Sequence, residues 1–150
     1  MRVGVVADTH GLLRPRVEEL LAGCERILHA GDVGDPAVLE GLRRIAPVAA
    51  VRGNVDLEPP LADLPATVAG ELAGLPFRMI HRREEVEPSW PGKLRLVVYG
   101  HSHRPELAWQ AGCLLVNPGA CGRRRFHLPL TLAILTVEEN RIVPEILAVE

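Results

Sequence analysis

Arg2-Val3-Gly4-Val5-Val6-Ala7-Asp8-Thr9-His10 begins as a short, β-branched-rich run and ends on two residue types that bind metals. Such a run is too short for a helix and reads as a buried strand, which sets Asp8 and His10 at its C-terminal tip. Three further stretches repeat the arrangement. Arg26–Ala30 leads into Gly31-Asp32, Val48–Val51 into Gly53-Asn54, and Leu94–Tyr99 into Gly100-His101-Ser102-His103. A parallel sheet gathers its strand tips along one edge, so donors scattered over the sequence can meet in one site. Oxygen and imidazole donors without a thiolate among them suit divalent transition metals.

Working outward, the intervals between these strands carry helical signals. Leu12, Leu13, Val17, Leu20 and Leu21 form an apolar stripe across Leu12–Ala22, ended by Gly23. Asp35-Pro36 is an N-cap followed by proline at the first helical position, and Val38, Leu39, Leu42 and Ile45 make the apolar face behind it. The first third is therefore β-α-β-α-β, the pattern of parallel strands with right-handed crossovers. The remainder changes character. Asp56–Pro65 is a proline-rich loop, and Thr67–Leu72 with Pro76–Ile80 flank Ala73-Gly74 as a hairpin. Arg82–Glu87 is a charge run that reads as a solvated loop. A short hairpin is expected around Ala111-Gly112. A last antiparallel pair, Leu130–Val137 and Arg141–Val149, turns at Glu138-Glu139-Asn140.

Length and composition bound the answer. The 150 residues argue for one domain, 1–150, with a single core. Aromatics are only 3%, so the interior must be aliphatic. A net charge of -2 provides no overall basic field for nucleic acid. The three cysteines, Cys24, Cys113 and Cys121, are an odd number with no CxxC pair, as expected of reduced core residues in a cytoplasmic protein. Neither a secretory signal nor a run long enough to span a bilayer is visible.

The donor spacing has chemical consequences. Residues two apart in a strand share a face, so Asp8 and His10 can grip one ion if strand geometry persists past the tip. The same spacing joins His101 and His103. Glycine ahead of a ligand (Gly31, Gly53, Gly100) permits a sharp exit and close backbone approach. A carboxylate at Asp32 has two oxygens and can bridge two cations, whereas Asn54 is a neutral donor. Two divalent ions carry four positive charges. Asp8, Asp32 and a bridging hydroxide remove three, and the remaining positive charge attracts a phosphate. Paired ions about 3.5–4 Å apart generate a nucleophile and stabilise in-line displacement.

In this ordered set the chain resembles the calcineurin-like metallophosphoesterases, in their small YfcE-like branch. The matching segments are Asp8-Thr9-His10-Gly11, Gly31-Asp32, Gly53-Asn54-Val55-Asp56, His81, Gly100-His101-Ser102-His103 and Asn117-Pro118-Gly119. The resemblance implies an α/β fold, a four-layer α/β/β/α sandwich of two mixed β-sheets flanked by helices. It implies one ion on Asp8, His10, Asp32 and His103, and another on Asp32, Asn54, His81 and His101, with Asp32 shared. Asp32, Asn54 and His81 are the residues it places nearest the reaction. Manganese is the implied ion, with iron, zinc and nickel as substitutes. Two departures stand out. Arg82 and Arg83 follow His81 where the family commonly has glycine. Val55 stands where larger members carry a histidine able to protonate the leaving group.

The expected activity is a dinuclear metal-dependent phosphodiesterase acting on a small phosphate ester, with a metal-bridging hydroxide attacking in line. Alternatives are a phosphomonoesterase, or a protein-interaction scaffold of the same fold with little activity, as in the retromer subunit. Nucleic-acid ends remain open as substrates, and so does a homo-oligomer. Among Arg123-Arg124-Arg125, Arg124 is the candidate for holding an anionic substrate, with Arg14 and Arg16 as lesser ones. His29, inside the second strand, reads as a buried supporting histidine. His127 reads as a surface residue, and Trp90 and Trp109 as a hydrophobic edge.

Overall fold

The structure, a computed structural model, describes all 150 residues. Its strands fall into two five-stranded sheets. In the first, β1 (Arg2–Val6), β2 (Arg26–His29) and β3 (Val48–Ala50) run parallel, and β9 (Thr131–Glu138) and β10 (Arg141–Ala148) add antiparallel, in the order β10-β9-β1-β2-β3. In the second, β5 (Leu75–Ile80), β6 (Leu96–Val98) and β8 (Cys113–Asn117) are parallel. The antiparallel edges β4 (Thr67–Leu72) and β7 (Glu106–Gln110) complete the order β4-β5-β6-β8-β7. Both sheets are mixed, and the fold class is α/β.

The layers follow from alternation along buried strands. Val3, Val5 and Leu28 of the first sheet meet Phe77, Met79, Val98, Leu114 and Val116 of the second in one apolar layer. The opposite faces of the first-sheet strands, through Val6, Ile27, Leu132 and Ile134, receive Val17, Leu21, Val38, Leu39 and Leu42 of the helices α1 (Pro15–Leu21) and α2 (Pro36–Arg43). Strands buried on both faces must be apolar throughout, which is why β1 shows no polar alternation. On the outside of the second sheet lies α3 (Trp90–Lys93), a single turn whose Trp90 packs on Val97, Tyr99 and Leu115. The fourth layer is therefore much thinner than the first. The charge run holds only a 3-10 turn, Arg83–Glu85.

Strand boundaries fall within two residues of the sequence reading, and the first helix departs further. The first helix starts at Pro15, not Leu12, because the residue before a proline is driven from helical to extended backbone. Arg14 has φ -75° and ψ 141° and offers no side-chain cap. Asp35 caps α2 as expected, its Oδ1 accepting from the Ala37 N–H at 2.9 Å. The turns at Ala73-Gly74, Ala111-Gly112 and Glu139-Asn140 all carry positive φ, as two-residue hairpin loops require. No helix is long and apolar enough to cross a membrane.

Candidate metal centre

The parallel strands of both sheets deliver their C-terminal ends to one edge. Asp8 and His10 follow β1, Asp32 follows β2, and Asn54 follows β3; His81 follows β5, and His101 and His103 follow β6. Extended geometry does not persist into these loops. Asp8, His10, Asp32, His101 and His103 all lie in the left-handed region, with φ between 46° and 73°. L-residues pay for that conformation, which concentrates where function over-determines the backbone. The pleat therefore does not align Asp8 with His10, as the spacing argument supposed; successive left-handed turns do. Close approach explains a glycine here. A Cβ on Gly53 would stand 2.1 Å from the Asp32 nitrogen and 2.2 Å from its Oδ1, so no other residue fits.

The donors form two groups. Asp8, His10 and His103 make one, and Asp32, His81 and His101 the other, each with ligand atoms within 4.8 Å of one another. His101 and His103, two apart, thus separate between the groups and do not share one ion as the strand-face argument had it. Asp32 Oδ2 reaches across, 3.5 Å from His10 Nε2 and 3.3 Å from His81 Nε2. His103 Nε2 is 3.6 Å from Asp8 Oδ1. In each aspartate one oxygen is fixed by backbone and the other aimed inward: Asp8 Oδ2 accepts from the His101 N–H and Asp32 Oδ1 from the Val55 N–H, both at 3.0 Å. Asn54 lines the cleft of about 380 Å³ beside His10, Asp32, His101 and His103, and also the adjoining one beside His81.

The donor atoms fit a cation pair. Asp8 Oδ1, His10 Nε2, His81 Nε2 and both His103 nitrogens are buried without a hydrogen-bond partner. Buried polar groups are rarely left unpaired unless an ion or water completes them. His81 Nδ1 lies 2.7 Å from the Ala30 carbonyl, so it carries the proton and turns a lone pair at Nε2 toward Asp32. That is the tautomer a metal-binding histidine needs.

Electrostatics divide the two carboxylates. Burial pushes Asp8 up to about 7, the Asp32 charge adding to that and the His81 charge opposing it. Burial also raises Asp32, but contact with His81 and the Val55 N–H outweigh it and hold the carboxyl at about 2. Burial lowers His10, His101 and His103, the last to about 4, so these imidazoles are neutral and able to bind metal at neutral pH. His81 is raised: burial works against the imidazolium, but Asp32 and the Ala30 carbonyl favour it more.

A family model described as the calcineurin-like phosphoesterase superfamily domain matches residues 1–140. The chain belongs to this superfamily. A protein named probable metallophosphoesterase from Methanocaldococcus jannaschii is 31% identical over 136 residues, covering 80% of this chain and 68% of its own length. Another of that name from Methanothermobacter thermautotrophicus is 28% identical and covers 98% and 92%. Among solved structures, one described as a novel archaeal phosphodiesterase superposes with a TM-score of 0.81 at 25% identity, covering 98% and 100%. Vps29 from Entamoeba histolytica superposes at 0.78 with 18% identity over 99% of each chain, a likeness of fold alone.

Three buried polar residues brace the phosphoesterase loops. His29 Nδ1 accepts from the Gly31 N–H at 3.1 Å, and its Nε2 lies 2.9 Å from Thr9 Oγ1, which in turn donates to the Val33 carbonyl. Since Thr9 spends its own proton on Val33, His29 carries its proton on Nε2. The imidazole thus joins the Asp8–His10 loop to the Asp32 loop. Asp56, only 1% exposed, accepts from the backbone N–H groups of Val33, Gly34 and Gly53 and joins the Asp32 loop to the Asn54 loop. Asn117 donates to the Gly100 carbonyl, tying down the His101 loop. Sequence reading placed Asp56 and Asn117 in matching segments without giving either a task; Asp56 looked like one more residue of a proline-rich loop.

The arginines divide in an unexpected way. Arg123, Arg124 and Arg125 all line the cleft. Arg124 is already committed to Glu150 at 2.6 Å and to the Leu128 carbonyl, and Arg123 to the His10 carbonyl. Arg125 stacks over Phe126, and its charge acts on Asp8, His10 and His103. Arg14 is paired with Glu150 and Gly122, and Arg16 with Glu19.

Proposed function

We propose that this phosphoesterase is a dinuclear phosphodiesterase, with manganese as the working ion, in the cytoplasm. The observation that carries the reading is the position of Asp32 Oδ2 between His10 Nε2 and His81 Nε2, one from each donor group and both buried without a hydrogen-bond partner. Carboxylate and imidazole donors suit manganese, and iron, zinc or nickel can replace it. Divalent cations held there would supply the charge that activates water and steadies phosphoryl oxygens.

The chain's own residues do the rest. Asp32 shares one oxygen between both donor groups and so fixes their separation. His81, its Nδ1 proton committed to Ala30, offers only a lone pair. Arg125 is free to hold an anionic ester against the cleft, a task the bonds of Arg124 leave it less able to perform. Val55 has no proton to give a leaving group, so esters of acidic alcohols react fastest. The manganese-loaded protein is expected to hydrolyse bis-p-nitrophenyl phosphate, faster than the corresponding monoester, and Asp32→Ala to reduce the rate by at least about a thousandfold, as loss of a central catalytic group does. Equal turnover by the variant would refute the assignment.

The scaffold reading draws on one feature, the exposed pair Leu107 and Trp109 on edge strand β7. A surface of that kind suits a partner, but it does not account for the unpartnered donors at the other loops.

A further inference from the structure

Half of the large apolar side chains that stand exposed belong to the two segments whose Val55 and Arg123–Arg125 line the metal cleft: Val55 itself, Leu57 two residues on, and Phe126 next to Arg125. Exposed apolar groups scatter singly on ordinary surfaces, and their gathering beside a site marks a binding surface. Val55 and Leu57 are presented deliberately. Asp56 between them faces inward and is held by three backbone N–H groups, and the Leu57 N–H bonds the Val55 carbonyl at 3.0 Å. The tight turn so pinned leaves its two apolar neighbours pointing out, with Leu57 77% exposed.

A second cleft of about 390 Å³ opens on this turn, lined by Pro36, Val55, Leu57, Pro59 and Leu61, with Asp56 and Glu58 as its charged side chains. Val55 is common to this cleft and to the one holding His10, Asp32, Asn54, His101 and His103. Its N–H bonds Asp32 Oδ1 directly, so the apolar space begins one residue from the shared carboxylate. The charges divide accordingly. The metal cleft has three arginines and the adjoining cleft beside His81 has Arg52 and Arg82, whereas the Val55–Leu57 cleft has no cation at all. A second phosphate, or a polyanionic strand, is repelled there by Glu58 and finds nothing to pair with. An uncharged planar or aliphatic group is accommodated, as in pockets that bind small molecules through apolar walls.

We propose that the Val55–Leu57 cleft is the subsite for an uncharged apolar substituent, aryl or nucleobase in size, of the phosphate ester whose phosphate sits at the metal centre. The proposal rests on the phosphoesterase reading and narrows its substrate class to esters bearing one such group.

The test compares phenyl phosphate with methyl phosphate on the manganese-loaded full chain, by calorimetry. The two share the phosphate and differ only in the substituent. The wild type is expected to bind phenyl phosphate about tenfold tighter, the scale on which apolar pockets discriminate. Leu57→Ser should shrink that ratio to less than about threefold and raise KM for bis-p-nitrophenyl phosphate more than it lowers kcat. Val55→Thr, equal in shape, should shrink the ratio in part. Leu107→Ser, an exposed apolar change on the far strand, should leave it unaltered. An unchanged ratio in Leu57→Ser, or equal binding of the two esters by the wild type, overturns the subsite. Leu57-dependent binding without diester turnover supports the subsite while overturning the diesterase reading.

Discussion

His29 shows how much of a metal site lies in residues that touch no metal. Its neutral imidazole receives the Gly31 N–H and donates to Thr9, so the loops on either side of it are set together. Burial lowers its pKa to about 4, against about 6.5 in an unfolded chain. Between those values the unfolded chain binds the extra proton, so the contribution is complete above pH 6.5 and is lost as pH falls toward 4. The loss amounts to about 3 kcal/mol. Urea denaturation in the presence of chelator should show the wild type losing about that much more stability between pH 7 and pH 4 than His29→Asn does. Parallel pH curves would contradict the tautomer and the network. At this scale the sequence was informative about identity but not conformation. All seven candidate donors were legible as residue types in order. Their left-handed backbone was not, because aspartate and histidine enter that region more often than most residues but far less readily than glycine, too weak a signal to locate it. Nor was the division among three consecutive arginines, which look alike until Glu150 claims Arg124.

The elements explain why the loops can come so close. β1, β2 and β3 end side by side, and the Gly53 backbone then passes against Asp32 with no room for a methyl group. Gly53→Ala must push one loop away from the other. The expected cost is about 1–3 kcal/mol of stability, with manganese affinity lowered about tenfold or more, measured by calorimetry beside chelator-treated unfolding. Unchanged affinity would mean that the Asn54 loop does not contribute to the site. Strand periods, proline positions and two-residue turns made nearly every element readable before the structure. The exceptions have physical causes. Pro15 shortened the first helix through its effect on Arg14, and Trp90 nucleated a single turn because burial on the second sheet, not helical periodicity, holds it.

At the scale of the whole molecule, two sheets pack face to face and aim their parallel ends at one edge. The division of labour follows. One sheet supplies Asp8, His10, Asp32 and Asn54, and the other His81, His101 and His103, so neither sheet alone completes either donor group. The assembly of both donor groups is therefore tied to the inter-sheet layer built from Val3, Val5, Leu28, Phe77 and Met79. The direct test is anomalous scattering from a manganese-soaked crystal of the protein. Two peaks about 3.5–4 Å apart are expected, one contacting Asp8, His10 and His103, the other Asn54, His81 and His101, with Asp32 touching both. A single peak, or peaks that leave Asp32 without a contact, would contradict the shared-aspartate centre.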